Sequence, residues 1–198
     1  MNDIWNKRYD SKDFVYGKEA NKFLTENLEM NPKSKILLPG EGEGRNALFA
    51  AKNKYYVHAF DQSEIAAGKA MHLANSEGVR YEYEVCSCEQ FEALEIYYDV
   101  IALIFLHISR AQHSEFHRKI VKSLKSGGKI IAELFSKKQI GMNSGGPKNE
   151  DLLYSIEELK EDFKDFDFTY IEEKQVELTE GSFHNGKAWV IRFIAEKK

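Results

Sequence analysis

Ile36-Leu37-Leu38-Pro39-Gly40-Glu41-Gly42-Glu43-Gly44-Arg45-Asn46 is the stretch that decides how this chain folds. Lys35 to Pro39 reads as a short buried strand, and Arg45 to Lys52 as a helix entered through glycines. Glycines at alternate positions carry no Cβ to hold a ligand off the backbone, and they allow φ > 0 in a tight turn. A strand that turns directly into a helix puts that turn at the carboxyl edge of the sheet, where open α/β folds bind ligands.

Outward from this turn, apolar runs rich in β-formers alternate with segments of helical period, the pattern of βαβ units and a parallel sheet. Before it, Phe23, Leu24 and Leu28 share one face of a helix expected over residues 19–30 and ended by Pro32. After it come a strand from Tyr55 to Phe60, stopped by Asp61, and a helix capped by Ser63 that runs to about Asn75. Tyr81 to Val85 is a third strand. Tyr98 to Leu106 is a fourth, apolar nearly throughout, as suits a strand covered on both faces. His113 to Leu124 reads as a helix, and Gly127-Gly128 turns the chain into a fifth strand, Lys129 to Phe135. Residues 137–150 read as loop, and Ser155 with Glu158 forms a capping box for a helix to Phe163. Phe168 to Leu178 and Ala188 to Glu196, joined through Glu180-Gly181 and Asn185-Gly186, close the chain as an antiparallel hairpin. The expected fold is a doubly wound α/β domain over residues 1–198, with a mostly parallel seven-stranded sheet and that hairpin at its C-terminal end.

The totals narrow the function. At 198 residues the chain suits one domain with a single sizeable core. A formal charge of -4 with both signs interspersed gives no basic footprint for nucleic acid. Cys86 and Cys88, the only cysteines, stand at a spacing poor for a disulfide or a metal chelate, so reduced thiols in the cytoplasm and no metal site are expected. The polar start, Met1 to Tyr9, has no signal-peptide character, and Val100 to Leu106 is too short to span a bilayer.

Asp61 at the end of the second strand adds chemistry to the glycine turn. A carboxylate there can accept both hydroxyls of a ribose, which points to a nucleoside-containing cofactor. Glu41 and Glu43 in the turn would repel the pyrophosphate of a dinucleotide but favour a sulfonium and an ammonium, so S-adenosylmethionine (SAM) is expected over NAD.

Together with His58-Ala59-Phe60-Asp61, Tyr98-Asp99-Val100-Ile101 and Leu124-Lys125-Ser126-Gly127-Gly128, the opening stretch resembles the ordered motif series of class I SAM-dependent methyltransferases. Gly44-Arg45-Asn46 and the strand Val190-Ile191-Arg192-Phe193 are similar to the tellurite-resistance methyltransferases. The resemblance implies a cofactor site of Gly40, Glu41, Gly42, Gly44, Asn46, Asp61, Gln62, Phe105 and Tyr16, with S-adenosylhomocysteine as product. Two departures stand out: Leu38 occupies a position that is usually acidic, and Cys86-Ser87-Cys88-Glu89 lacks the usual acidic end of the third strand, so Ser87 or Cys88 is expected at the adenine.

His107, at the end of the fourth strand, is the candidate catalytic residue; the alternative is a histidine that stacks on the cofactor or hydrogen-bonds a loop. His184 falls in the hairpin turn, ordinarily a solvated position, and His113 and His117 lack a third metal ligand. Trp5, Arg8, Tyr9, Phe14 and Tyr16 make residues 1–18 either a lid or an ordinary packed helix. Arg45 either binds an anionic acceptor or pairs with Glu41 or Glu43, Asn46 can hold the loop through its amide, and Asn143-Ser144-Gly145-Gly146 is an expected acceptor-facing wall. The expected reaction moves the SAM methyl group to a small-molecule acceptor, whether a thiol, an oxyanion, or a metabolite carboxylate or hydroxyl. A catalytically silent SAM-binding module and a nicotinamide oxidoreductase are the competing readings. No nucleic-acid or membrane partner is expected, and the oligomeric state is open.

Overall fold

A computed structural model describes residues 2–198. Seven strands form one sheet in the order β3-β2-β1-β4-β5-β7-β6. They are β1 (Lys35–Pro39), β2 (Tyr56–Asp61), β3 (Glu82–Val85), β4 (Tyr98–Ile104), β5 (Leu124–Phe135), β6 (Phe166–Glu180) and β7 (His184–Lys197). The first five pair in parallel, and β7 runs antiparallel to both β5 and β6. The chain winds from β1 outward to β3 and then crosses to β4 on the other side of β1. The order therefore reverses between β1 and β4, and the crevice at their carboxyl ends is the site such a sheet offers a ligand.

Helices cover both faces. On one, Phe116 and Ile120 of α5 (Arg110–Ser123) and Leu159 of α6 (Ile156–Asp162) pack with Phe91, Leu103 and Ile130. On the other, Phe23 and Leu24 of α2 (Lys22–Asn27) and Ala47 and Ala50 of α3 (Arg45–Lys52) pack with Ile36, Leu38 and Ile131. The helix α4 (Glu64–Ser76) lies against β2 and β3, with Ser63 Oγ accepting from Ala66 N as its cap. The short α1 (Asn2–Tyr9) packs on α4. Met1, the first residue of the expected lid, lies outside the described residues.

Several boundaries differ from the sequence reading. The helix expected over residues 19–30 is confined to Lys22–Asn27, because Asn21 turns its side chain onto Leu24 N as an N-cap and Leu28 is extended. α5 begins earlier than His113, since Ser109 and Gln112 close against each other (Oγ to Oε1, 2.7 Å) at its start. β5 takes in Gly127 and Gly128, which a register shift opposite Tyr98 and Val100 accommodates. Residues 137–150 are not wholly loop: Lys137–Gln139 forms a 3-10 turn, and a second runs over Glu150–Leu152. The hairpin is longer at both ends and turns at Gly181–Phe183, with Asn185 and Gly186 inside β7.

Candidate functional site

A cavity of about 390 Å³ opens at the β1/β4 crevice. Gly40 and Glu41 line it after β1, Asp61 and Gln62 after β2, Ser87 and Cys88 after β3, and Phe105 to Ile108 after β4. Trp5, Tyr9 and Tyr16 close it from the N-terminal side and His184 from the hairpin. Among the described residues no group of three or more His, Cys, Asp or Glu side chains could hold a metal ion.

Asp61 is fixed at the end of β2 by two backbone donors. Gly42 N reaches its Oδ2 at 3.1 Å and Ser63 N its Oδ1 at 2.9 Å. Burial pushes its carboxyl up to about 6, against the lowering effect of those donors. Gly42 and Gly44, expected to touch the cofactor, do not line the cavity. Gly42, at φ +64°, instead presents N–H to Asp61 and C=O to the Tyr83 hydroxyl, and a Cβ there would stand 2.6 Å from Tyr9 Oη. Gly44, at φ +86°, is the N-cap of α3 and is pressed against Ala70 and Tyr81.

The carboxylates of the turn have their own duties. Glu41 lines the cavity, but its Oε1 accepts from Asn46 N (2.7 Å) and Ala47 N (2.8 Å) and its Oε2 from Asn46 Nδ2 (3.1 Å). It thus satisfies the free donors at the start of α3, where negative charge is favoured. Burial still raises its carboxyl to about 7. Asn46 also receives Asn21 N at 2.9 Å, so it ties α3 to the segment before α2. Glu43 accepts from Val15 N at 2.8 Å and pairs with Lys69, whose ammonium also reaches the carbonyls of Ser11 (3.0 Å) and Asp13 (2.7 Å). Arg45 pairs with neither glutamate of its loop. It bonds Glu180 at 2.8 Å and donates to the carbonyls of Tyr16 and Glu19, both at 3.3 Å.

Beyond β4, Phe105 holds the left-handed conformation at φ +49°, a cost of about 1–2 kcal/mol for a residue with a side chain. Its N–H is kept by Glu133 O at 2.8 Å, and its ring meets Phe135 and His184 at 4.6 and 4.5 Å. His107 is stacked between Trp5 (5.8 Å, 16°) and Phe135 (5.9 Å, 22°). Its Nδ1 is buried without a hydrogen-bond partner among the described residues. Burial, with His184 and Arg8 adding to it, pushes this imidazole down to about 3, so it is neutral at physiological pH. Cys86 and Cys88 line the cavity as free thiols, each pushed up to about 12 chiefly by burial, which leaves little thiolate.

Two expectations about the far wall are overturned. His184 is not solvated: it is 4% exposed, with Phe105, Phe135 and Tyr16 around its ring. The loop Asn143 to Gly146 does not line the cavity; it backs the hairpin, where a Cβ on Gly145 would collide with Phe183 O and His184 Cδ2. Sequence reasoning missed Leu106, Ile108 and Gln112 as lining residues, and their only signal was proximity to the end of β4. His113 and His117 serve packing: His113 stacks on Tyr154 at 4.4 Å and His117 Nδ1 meets Asp162 at 2.7 Å.

The cavity fits a cationic nucleoside ligand. It has a buried carboxylate at the end of β2, a Cβ-free approach at Gly40, acidic walls and aromatic cover. Comparisons with known proteins agree. Residues 36–128 match the family model described as a methyltransferase domain. No curated protein matches the sequence. Among solved structures, TehB from Haemophilus influenzae is similar over 100% of this chain and 67% of its own, at 19% identity and a TM-score of 0.74. A protein from a study of the conversion of a disulfide bond into a thioacetal group during echinomycin biosynthesis is similar over 100% and 92% respectively, at 14% identity and a TM-score of 0.79. A SAM-dependent methyltransferase from Methanosarcina mazei is similar over 90% and 98%, at 18% identity and a TM-score of 0.70. At these identities the likeness establishes the fold.

Proposed function

From the premise that this is a class I SAM-dependent methyltransferase, we propose that it transfers the methyl group to a small-molecule acceptor in the β1/β4 cavity. The observation that carries this reading is Asp61, a buried carboxylate anchored on Gly42 N and Ser63 N with lone pairs left for the two ribose hydroxyls. Gly40 gives the backbone room for the methionine part, Glu41 and Asn46 hold the turn in shape, and Gln62, Ser87 and Cys88 flank the adenine side. Bound SAM supplies an activated methyl group whose displacement is in line, so the protein's task is alignment and exclusion of water.

The N-terminal segment is the cover. Its Trp5, Tyr9 and Tyr16 line the cavity, Asn6 Oδ1 receives Ser63 Oγ at 2.6 Å, and Lys69 and Glu43 pin residues 9–15. We read residues 1–18 as a lid on a single domain that works in the cytoplasm. His107 and Phe105 form the wall beside the transferred methyl group, where a neutral ring adds no charge to compete with the sulfonium. A pocket under an aromatic lid favours a small acceptor over a protein or nucleic acid, and it favours turnover over silent binding.

Calorimetric titration with SAM and with S-adenosylhomocysteine, on wild type and Asp61→Ala, tests the reading. Charge-assisted bonds of about 1.5–3 kcal/mol each predict at least a tenfold loss of affinity in the variant. Wild-type protein that binds neither ligand, or a variant that binds as well as wild type, would sink it.

A further inference from the structure

The turn of the β6–β7 hairpin holds a pair that cofactor binding does not require. His184 Nδ1 faces Glu180 Oε2 at 3.4 Å. Glu180 is fixed from two further elements, by Arg45 Nη2 at 2.8 Å and by Asn21 Nδ2 at 3.0 Å. Burial alone would raise the Glu180 carboxyl, but His184 and Arg45 outweigh it and hold it down at about 2, so the group is a carboxylate at any working pH. His184 Nε2 has no hydrogen-bond partner among the described residues, and unlike His107 Nδ1 it is not a sealed, unpartnered atom. The ring lines the same cavity as His107 and Phe105. The charged and titratable groups around it among the described residues are Glu180 on its hairpin, Arg45 on α3, Arg8 on α1, Tyr16 between α1 and α2, and His107 after β4.

These contacts divide the two histidines by role. Among the described residues a proton placed on His107 would meet no carboxylate, with Arg8 and His184 nearby opposing it. A proton placed on His184 would meet Glu180, although burial, Arg45 and Arg8 outweigh that carboxylate and hold the imidazole below its ordinary value. A carboxylate on Nδ1–H leaves the lone pair on Nε2.

We infer that His184, oriented by Glu180, is the general base that takes the proton of a neutral hydroxyl acceptor. The inference rests on the methyltransferase reading above and deepens it. Nε2 takes the hydroxyl proton while the acceptor oxygen forms its bond to the methyl carbon. The carbon–sulfur bond breaks with its electron pair left on sulfur, and the imidazolium returns its proton to water. An acceptor already ionised would need no such base, and an ammonium acceptor would face Arg8.

The test has two arms on the full chain. Long-range ¹H–¹⁵N NMR with S-adenosylhomocysteine bound should find His184 neutral at neutral pH with its proton on Nδ1, and Glu180→Gln should abolish that preference. Methyl transfer from radiolabelled SAM is then measured across phenols and thiophenols of graded acidity. His184→Gln should lose about a hundredfold or more on weakly acidic phenols yet stay within about tenfold of wild type on a thiophenol already ionised. Glu180→Gln should move the acid limb of the phenol pH profile. A proton on Nε2, equal losses on both acceptor types, no loss on either, or no phenol methylated overturns the inference. Failure of the wild type to bind SAM removes the methyltransferase reading itself, whereas SAM binding with the wrong tautomer removes only the base.

Discussion

Arg45, which directly follows the glycine turn, is bonded at 2.8 Å to Glu180 at the tip of the hairpin and to neither glutamate beside it. The guanidinium and the carboxylate are both largely buried, with side-chain exposures of 8% and 15%. Removing one member of such a pair leaves the other charge uncompensated. Arg45→Met should therefore destabilise the fold by about 3 kcal/mol, and Arg45→Met/Glu180→Gln should recover at least half of that in urea unfolding. Glu180 has a folded value of about 2, below the ordinary unfolded value of about 4.3. Its contribution is thus present above about pH 4.3 and lost as pH falls towards about 2. In Arg45→Met that acid limb should move to higher pH; an unmoved limb would show that Arg45 does not hold the carboxylate.

Asp61 and Glu41 carry the opposite sign. Burial raises them to about 6 and about 7, so they favour the unliganded fold when protonated. That contribution is present below their unfolded values and is lost as pH rises through 6 to 7. A cationic ligand prefers them ionised. SAM affinity should accordingly rise with pH across this range, by up to about tenfold per unit where one proton is released, while the unliganded protein loses thermal stability. Calorimetry in buffers of differing ionisation enthalpy reads the proton release directly. Affinity that is flat from pH 5 to 8 would separate these carboxyls from the cofactor.

Gly42 and Tyr9 are in contact through space that a methyl group would fill. Gly42→Ala adds a Cβ at 2.6 Å from Tyr9 Oη and at φ +64°, so it should cost about 1–3 kcal/mol and push Tyr9 outward. Tyr9→Phe in the same chain should restore part of the loss. A double-mutant cycle with no coupling would contradict the contact.

Lys69 holds residues 9–13 by three backbone carbonyls and pairs with Glu43. Lys69→Met should leave the sheet intact but speed amide exchange over residues 10–17 and raise the SAM dissociation rate by about tenfold or more. Exchange unchanged in that segment would mean it is fastened elsewhere.

His107→Phe keeps a ring between Trp5 and Phe135 and removes the unpartnered Nδ1. Its stability should be equal to wild type or higher by about 1 kcal/mol. Once an acceptor is in hand, turnover should stay within about tenfold of wild type. A hundredfold loss with unchanged SAM affinity would return the proton-transfer role to His107.

Most of the fold was legible in order and type, because each unit announced itself locally. Ser63 before α4 and the Ser155–Glu158 box before α6 named their helices by capping chemistry, and the apolar run of β4 named a central strand. Boundaries slipped where a distant partner set them. Asn21 became the cap of α2 while also bonding Glu133 and Glu180, which no helical period encodes. In the site, the glycine turn and Asp61 were readable because strand ends in a parallel sheet converge at one edge.

The sequence by itself determined the winding of the sheet, the crevice after β1 and the acidic end of β2, since alternation, glycine spacing and one aspartate are local signals. Only the tertiary structure decided which carboxylate each cation meets. Arg45 faced two glutamates in its own turn and took the one from the hairpin, because Glu41 caps α3 and Glu43 takes Lys69 and Val15 N. It also decided that His184 is buried on the cavity wall, because β6 and β7 extend past their apolar cores and fold their tip onto the N-terminal segment. Pairing between residues far apart depends on which surfaces the packed sheet brings together, and a linear pattern carries no record of that.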